Sequence, residues 1–201
     1  DRVFYELPEI LHEGDVLVFN DTKVIPARLY GKRGEAQVEV TLYHPVDGIR
    51  WQSFIKNAKR LRPGDTVAFY TAEIPAEKSD FTAEVLEKNG EDGVLLKFDC
   101  DPKNLGHYLE KYGSMPLPPY IKERLEDPER YQTVYAKQSG SAAAPTAGLH
   151  FTKALLHELE MKGVQLCYVT LHVGLGTFKP VDVEDIDKHI MHEEVYEVSQ
   201  M

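Results

Sequence analysis

The sequence predicts a mixed α/β fold with an antiparallel β module in the middle of the chain. Between about residues 30 and 113, short alternating segments are separated by turn signals such as Arg62-Pro63-Gly64-Asp65 and Asn89-Gly90. Before and after this stretch, helical periodicity occurs beside apolar runs of strand length. We therefore divide the chain into three stretches, 1–29, 30–113 and 114–201.

The middle stretch is predicted to form an antiparallel barrel or a small sandwich. Its alternating segments are 38–43, 51–55, 66–70, 81–86 and 94–98. None of them carries a cluster of catalytic residue types. Its aromatic residues are therefore interpreted as core rather than as a base-stacking platform, and they are Trp51, Phe54, Phe69, Phe81 and Phe98.

Composition bounds the class of protein. The 201 residues are 42% hydrophobic and 28% charged, as in a globular chain of one or two domains. No apolar run approaches the roughly 18 residues of a membrane span, and no signal peptide is recognisable, so we expect a cytoplasmic protein without a membrane partner. Cys100 and Cys167 lie far apart, which predicts neither a disulfide nor a thiolate metal site.

The charge pattern bears on nucleic-acid binding. A formal net charge of −10 argues against a surface that grips nucleic acid over its whole extent. One basic run lies beside Trp51 and Phe54, and it comprises Lys56, Lys59, Arg60 and Arg62. This run is either a solvated turn or a local basic face.

The first stretch reads as a short helix followed by a strand. Val16 to Phe19 is a continuous apolar run, which predicts a strand covered on both faces. A polar loop follows it, and strand-end loops often carry ligand groups, although turn capping explains Asn20 and Asp21 as well. The candidate residues in this loop and just after it are Asn20, Asp21, Thr22, Lys23 and Arg28.

The third stretch concentrates glycines and polar residues. Three prolines make Met115 to Ile121 extended, and Arg130 to Ala136 alternates as a strand would. That alternation predicts one strand face with a row of hydroxyls, from Tyr131, Thr133 and Tyr135.

A small-residue loop, Ser139 to Thr152, then leads into an amphipathic helix. Thr152 is its predicted N-cap, and Gly163 is its C-terminal stop. Small side chains let a ligand approach backbone N–H groups, so the loop is either an anion cradle or a structural turn.

Val164 to Val173 is predicted as a buried strand that ends in a glycine turn. The Gly174-Leu175-Gly176 turn does not open a helix, which excludes a dinucleotide-binding fingerprint. It is either an ordinary turn or a place where a flat ligand approaches the backbone. His189 and His192 follow, with Glu193 and Glu194 beside the second, and we favour acid–base chemistry over a metal there.

Several ordered blocks carry a resemblance to a known family. They are Asn20 to Leu29, Met115 to Ile121, Arg130 to Ala136, Ser141 to Thr152, Leu171 to Pro180 and His189 to Ser199. Together they resemble the S-adenosylmethionine:tRNA ribosyltransferase-isomerase family (QueA) of queuosine biosynthesis. The resemblance implies a monomer with a discontinuous catalytic domain, 1–29 and 114–201, interrupted by an inserted antiparallel β-barrel, 30–113. It also implies that this chain is incomplete at both ends.

The reaction that the resemblance implies joins two substrates. S-adenosylmethionine gives a rearranged ribosyl unit to 7-aminomethyl-7-deazaguanine at the tRNA wobble position, and adenine and methionine leave. The sulfonium is not a methyl donor; it acidifies the C5′ hydrogens so that a base removes one of them. S-adenosylmethionine is therefore a co-substrate, and no cofactor or metal is expected.

Residue chemistry within the matched blocks gives the candidate roles. His172 is the first candidate for the base, because it lies between a buried strand and a glycine turn, and the other catalytic candidates are His150 and Glu193. The substrate-binding candidates are Ser141, Thr146, Gly148, Gly174, Gly176, Thr177, His192 and Glu194. The tRNA-binding candidates are Arg130, Tyr131, Tyr135, Lys56, Lys59, Arg60 and Arg62.

Two alternatives remain open from the residues alone. One is a metal-dependent hydrolase built on His150, His172, His189 and His192. The other is a non-catalytic RNA-binding β module with the third stretch as its scaffold.

Overall fold

The computed structural model describes residues 1–90, 93–117, 121, 127–174 and 194–199. The chain divides into two compact units, which we call the split unit, Asp1–Val24 with Pro119–Met201, and the barrel unit, Ile25–Pro118. The barrel unit thus includes 25–29 and 114–118 in addition to the predicted 30–113.

The described strands are β1 (Val16–Asn20), β2 (Thr22–Val24), β3 (Arg28–Arg33), β4 (Ala36–Pro45), β5 (Arg50–Lys56), β6 (Thr66–Tyr70), β7 (Thr82–Asn89), β8 (Gly93–Phe98), β9 (Gly113–Ser114), β10 (Gln138–Ser141), β11 (Gln165–His172) and β12 (Val195–Glu197). The described α-helices are α1 (Leu7–Ile10), α2 (Leu105–Tyr112) and α3 (Lys153–Met161). The predicted mixed α/β class is confirmed.

The barrel unit is a closed antiparallel β-barrel. Its strands pair in the order β4-β5-β8-β7-β6-β3, and β3 also pairs with β4, which closes the sheet on itself. The pattern left β3 unassigned, although this strand supplies the closing pair. A Cβ at Gly31 of β3 would overlap Val67 Cγ1, so the closure needs a residue without a side chain at this position.

The barrel core is aromatic, as predicted. Trp51, Phe69, Phe81 and Phe98 are buried, whereas Phe54 is only partly buried and stacks on Tyr43 at a ring-centroid distance of 4.6 Å. Helix α2 covers the barrel with the buried side chains of Leu105, Leu109 and Tyr112. Trp51, Phe69, Phe81 and Phe98 thus belong to the hydrophobic core of the unit, together with aliphatic side chains of the strands.

The split unit contains two small sheets and α3. In one sheet β1 pairs with β11 in parallel and β12 pairs with β11 antiparallel; in the other, β2 and β10 are parallel. Thr152 Oγ1 accepts a hydrogen bond from Leu155 N at 3.1 Å, and Gly163 follows the helix with a φ of 88°. The predicted N-cap and C-terminal stop of α3 are confirmed.

The predicted burial of the two long strands of the split unit is wrong. Val16 and Val18 are 52% and 64% exposed, and in β11 only Thr170 is buried. β1 lies at the edge of its sheet, and one face of it is uncovered by the described residues. A short apolar run has the same pattern whether one face or both are covered, so the sequence did not distinguish these cases.

The predicted strand at Arg130 to Ala136 is also wrong. Asp127 accepts a hydrogen bond from Glu129 N at 3.0 Å and starts a 3₁₀ helix over Pro128–Tyr131. Tyr131 and Thr133 are buried, so the segment does not present the expected row of hydroxyls on a strand face.

Candidate functional site

The strongest candidate site lies where β11 ends. His172 is the last residue of β11, and its Nδ1 lies 2.8 Å from Thr22 Oγ1. Thr22 begins β2 and is fully buried, whereas the imidazole is half-buried. The structure thus joins a residue of the first predicted stretch to the first-ranked base candidate of the third.

Asn20 fixes the backbone on both sides of this contact. Its Oδ1 accepts hydrogen bonds from Thr22 N at 3.1 Å and Leu171 N at 3.0 Å, and its Nδ2 donates to Leu171 O at 2.9 Å. Asn20 therefore caps the turn, as one of the two readings predicted, and it also attaches that turn to β11 next to His172.

Asp21 is the buried carboxylate of the site. It accepts a hydrogen bond from Thr170 Oγ1 at 2.7 Å, and its backbone oxygen accepts from Lys137 N at 2.7 Å and Gln138 N at 3.1 Å. Thr170 precedes His172 by two positions on β11, so the two side chains lie on the same face of the strand. This places a carboxylate and an imidazole on one side of the sheet.

The surroundings keep His172 neutral. Burial lowers the pKa of His172 from its usual value, while the carboxylates of Asp21 and Glu197 act in the opposite direction. Because the net direction is downward, the uncharged ring predominates near neutral pH. A neutral imidazole can accept a proton, which is the state that a general base requires.

Gly140 gives the His172 ring its space. A Cβ at Gly140 would lie 2.9 Å from Cε1 and 3.0 Å from Nδ1 of His172, and the φ of Gly140 is 151°. Both the closeness of the ring and the backbone conformation favour glycine here. The next residue, Ser141, is buried, and its Oγ donates to Ala143 O at 2.7 Å and accepts from Val173 N at 3.0 Å. Substrate binding by Ser141 stays a prediction.

A cavity of about 840 Å³ lies within the split unit. Asp21 and Thr170 belong to its wall, whereas His172 is not among the residues that line it. Small-molecule sites usually occupy about 300–1,000 Å³. Two acidic side chains, one basic side chain and two phenol rings contribute to its wall. It is lined by Val18, Asp21, Tyr135, Lys137, Gln138, Leu166, Cys167, Tyr168, Val169, Thr170, Glu197, Val198 and Ser199.

Tyr135 belongs to an aromatic cluster at the cavity. Its ring centroid lies 4.9 Å from that of Phe19 and 6.0 Å from that of Tyr168. Burial raises the pKa of both tyrosines, so their hydroxyls stay protonated near neutral pH. Gly148 allows this packing, because a Cβ there would overlap the Tyr135 hydroxyl and approach Thr133 Cγ2 to 2.9 Å.

Glu194, just before the edge strand β12, lies beside Gly174. Gly174 N donates to Glu194 Oε1 at 2.9 Å. Both residues were predicted to bind substrate, and the structure brings them together. Four other predicted site residues lie outside the described residues, namely Gly176, Thr177, His192 and Glu193, as does His189.

His150 is placed differently from His172. It is exposed and ends the 3₁₀ helix Thr146–His150, which starts at the exposed Thr146. Its ring packs against Phe4 at a centroid distance of 5.2 Å. In the described ranges, no three His, Cys, Asp or Glu side chains are grouped so as to hold a metal ion.

The predicted basic run begins at the last residue of β5 and includes a 3₁₀ helix over Ala58–Arg60, and we call it the basic loop (56–62). Lys56, Lys59, Arg60 and Arg62 are exposed, whereas Ala58 and Leu61 are buried in the barrel core. Lys88 Nζ donates to Ala58 O at 2.8 Å and Leu61 O at 3.2 Å.

Of the other tRNA-binding candidates, Arg130 is exposed and Tyr131 is only 4% exposed.

Several cavity residues had no assigned role in the sequence. Lys137, Tyr168, Thr170 and Glu197 line the cavity with Asp21. Thr170 had one available signal, because it lies on the same strand face as His172. The same signal was available for Tyr168, two positions before Thr170 on β11. Lys137 and Glu197 belong to other segments of the chain, and no local pattern relates them to His172.

The fold and the site define a mixed α/β protein with a closed β-barrel and, in its other unit, a neutral histidine together with a cavity whose wall carries charged side chains. None of the described helices is long and apolar enough to cross a membrane. Residues 1–201 match the family described as queuosine biosynthesis protein, and the chain belongs to that family.

A solved structure with a similar sequence is the S-adenosylmethionine tRNA ribosyltransferase from Thermotoga maritima. It is 28% identical to this chain, with a TM-score of 0.35. The similarity covers 86% of this chain and 45% of the solved chain, so this chain spans about half the length of that relative.

Proposed function

We propose that the protein transfers and isomerises the ribosyl group of S-adenosylmethionine onto 7-aminomethyl-7-deazaguanine in a tRNA, giving epoxyqueuosine-tRNA, adenine and methionine. The observation that carries this proposal is the match of residues 1–201 to the queuosine biosynthesis family. The similar solved protein is named an S-adenosylmethionine tRNA ribosyltransferase, which agrees with it.

The cavity is the proposed site for S-adenosylmethionine. This co-substrate carries a sulfonium, an ammonium and a carboxylate, together with an aromatic base. Asp21 and Glu197 offer negative charge for the cationic groups, and Lys137 offers positive charge for the carboxylate. Tyr135 and Tyr168 offer phenol faces and protonated hydroxyls for the adenosine part.

His172 is the proposed base for the C5′ proton. The sulfonium acidifies the C5′ hydrogens, and the neutral imidazole accepts one of them as a proton. The aminomethyl nitrogen attacks the ribose as the glycosidic bond and the ribose ring open, and adenine departs with a proton. Asp21 and Glu197 raise the stability of the imidazolium that this step creates, although burial alone would disfavour it. Methionine leaves when the epoxide closes.

The basic loop is the proposed contact for tRNA phosphates. The chain carries a net charge of −10, so RNA binding requires a local positive surface, and this loop presents four exposed basic side chains. Arg130 is a further exposed candidate. We also propose that the protein is a cytoplasmic monomer. It needs no cofactor, because tRNA and S-adenosylmethionine are both substrates.

The deciding experiment incubates the full-length protein with S-adenosylmethionine and tRNA bearing 7-aminomethyl-7-deazaguanine. We expect free adenine, free methionine and a heavier tRNA base, measured by chromatography and mass spectrometry. Release of S-adenosylhomocysteine instead would overturn the proposal, because it would indicate methyl transfer.

A histidine pair tests the proposed base. His172→Gln should lower kcat by about 10²–10⁴-fold, the usual contribution of a general base. The matched control is His157→Gln, because His157 is exposed on α3 and should leave kcat unchanged. Equal rates for both variants would remove His172 from this role.

A further inference from the structure

We propose that Thr22 is a positioning residue that holds the neutral His172 ring with its proton on Nδ1 and leaves Nε2 as the basic nitrogen. This inference rests on the proposed function only for its catalytic meaning. The tautomer itself is a property of the free protein and can be measured without any substrate.

Hydrogen-bond accounting supports this tautomer. Thr22 Oγ1 lies 2.8 Å from His172 Nδ1 and 3.5 Å from Gln138 O. A hydroxyl has one proton to donate, and a carbonyl can only accept. If Nδ1 carries the proton, Thr22 accepts from His172 and donates to Gln138 O, so both contacts are used. If Nδ1 is bare, the Thr22 proton goes to Nδ1 and the Gln138 carbonyl receives none from this hydroxyl.

The geometry around Thr22 is fixed from several sides. Thr22 is fully buried, and its N–H donates to Asn20 Oδ1 at 3.1 Å. Gln138 of β10 lies opposite Thr22 of β2 in a parallel pair. The His172 ring lies against Gly140, where a Cβ would come within 2.9 Å of Cε1. The Thr22 hydroxyl therefore lies beside Nδ1 in buried, hydrogen-bonded surroundings and is not a mobile surface group.

A neutral partner on Nδ1 has a chemical consequence. A carboxylate in this position would raise the pKa of the imidazole strongly, whereas a hydroxyl orients the ring without adding charge. Asp21 and Glu197 are the carboxylates that act on His172 from neighbouring segments. Both carboxylates favour the charged form of the ring and so raise its pKa, but the group in direct contact with Nδ1, the Thr22 hydroxyl, is neutral. His172 is thus kept both oriented and uncharged near neutral pH.

The test measures the tautomer by nitrogen NMR of full-length protein with ¹⁵N-labelled histidine, at a pH above the His172 titration. The His172→Gln spectrum identifies the His172 signals. We expect Nδ1 to show the shift of a protonated ring nitrogen and Nε2 that of a bare one. A wild-type ring protonated on Nε2 would overturn the inference without any variant.

Two variants test the role of the hydroxyl. Thr22→Val removes it at nearly constant shape and should average the two nitrogen shifts, whereas Thr22→Ser should restore the wild-type pattern. Unchanged shifts in Thr22→Val would also overturn the inference. Circular dichroism and the denaturation midpoint establish that each variant is folded.

Kinetics separate this inference from the proposed function. Thr22→Val should lower kcat by roughly 10–100-fold, the size of loss seen when a group that orients a metal-ligating histidine is removed, and Thr22→Ser should recover most of it. If the tautomer is as proposed but His172→Gln remains active, the base assignment fails while the positioning role of Thr22 stands. If Thr22→Val randomises the tautomer while its kcat equals that of the active wild-type protein, Thr22 orients the ring but does not contribute to catalysis.

Discussion

The side-chain amide of Gln132 pairs with both backbone groups of Val24. Gln132 Oε1 accepts from Val24 N at 3.0 Å, and Gln132 Nε2 donates to Val24 O at 2.8 Å. Both residues are buried, so this amide takes the place of a neighbouring strand at the end of β2. The same short strand begins with Thr22, the partner of His172.

Replacing Gln132 should therefore destabilise the split unit. In Gln132→Met, two buried backbone groups lose their partners, and each such loss costs about 1–3 kcal/mol. We expect a lower urea midpoint for the split unit, with the His172 NMR signals broadened. Gln37→Met is the matched control, because Gln37 is exposed on β4. Equal midpoints for the two variants would contradict the pairing.

These contacts mark the limit of what the sequence could predict. The barrel was predictable because its evidence is local: alternating side chains and turn residues every few positions. Gln132 and Val24 are 108 residues apart, and Thr22 and His172 are 150 residues apart. Neither pair leaves a periodic signal. Asp127 caps a 3₁₀ helix over Pro128–Tyr131, which takes up the start of the strand predicted over 130–136.

The pKa of His172 should depend on the charge of Asp21. Burial lowers this pKa, and Asp21 partly opposes the shift, so Asp21→Asn should lower the pKa of His172 further. The asparagine can still accept from Thr170 Oγ1, which preserves the local hydrogen bond. An NMR titration of the His172 ring measures the shift. Asp15→Asn is the control, because Asp15 is not among the groups that act on His172. A rise in the Asp21→Asn variant would contradict the assignment.

The free energy of unfolding should depend on pH because the pKa of His172 is lowered in the folded state. The unfolded pKa of histidine is about 6.5, and the folded pKa of His172 is lower. The unfolded state therefore binds more protons between these two values. The contribution of neutral His172 to the free energy of unfolding is complete above about pH 6.5 and is lost as the pH falls through the folded pKa. His172→Gln should flatten this part of the stability profile. An unchanged slope would contradict it.

Gly148 and Tyr135 should show strong energetic coupling. Gly148→Ala places a Cβ against the Tyr135 hydroxyl, so Tyr135 must move or the helix turn must distort. We expect a loss of about 1–3 kcal/mol in the free energy of unfolding. Tyr135→Phe removes the closest clashing atom and should recover part of that loss in the double variant. A double-mutant cycle measures this coupling, and purely additive losses would argue against it.

The basic loop offers a test in which stability and RNA binding separate. Lys88→Met removes both hydrogen bonds from Nζ to the carbonyls of Ala58 and Leu61, and it should lower the stability of the barrel unit by about 1–3 kcal/mol. Arg60→Gln removes an exposed charge and should leave this stability unchanged. Urea unfolding of both variants measures the difference.

Binding of tRNA should respond in the complementary way. Each lost phosphate contact lowers the slope of log affinity against log salt by about 0.7–0.9, so Arg60→Gln should weaken binding and flatten that slope by one contact. Lys103→Gln is the matched control, because Lys103 is exposed on the barrel unit outside the basic loop. Filter binding over a salt series, with tRNA carrying 7-aminomethyl-7-deazaguanine, gives both slopes. If the two variants lose the same slope, the positive charge of the unit acts diffusely and the basic loop is not the contact surface.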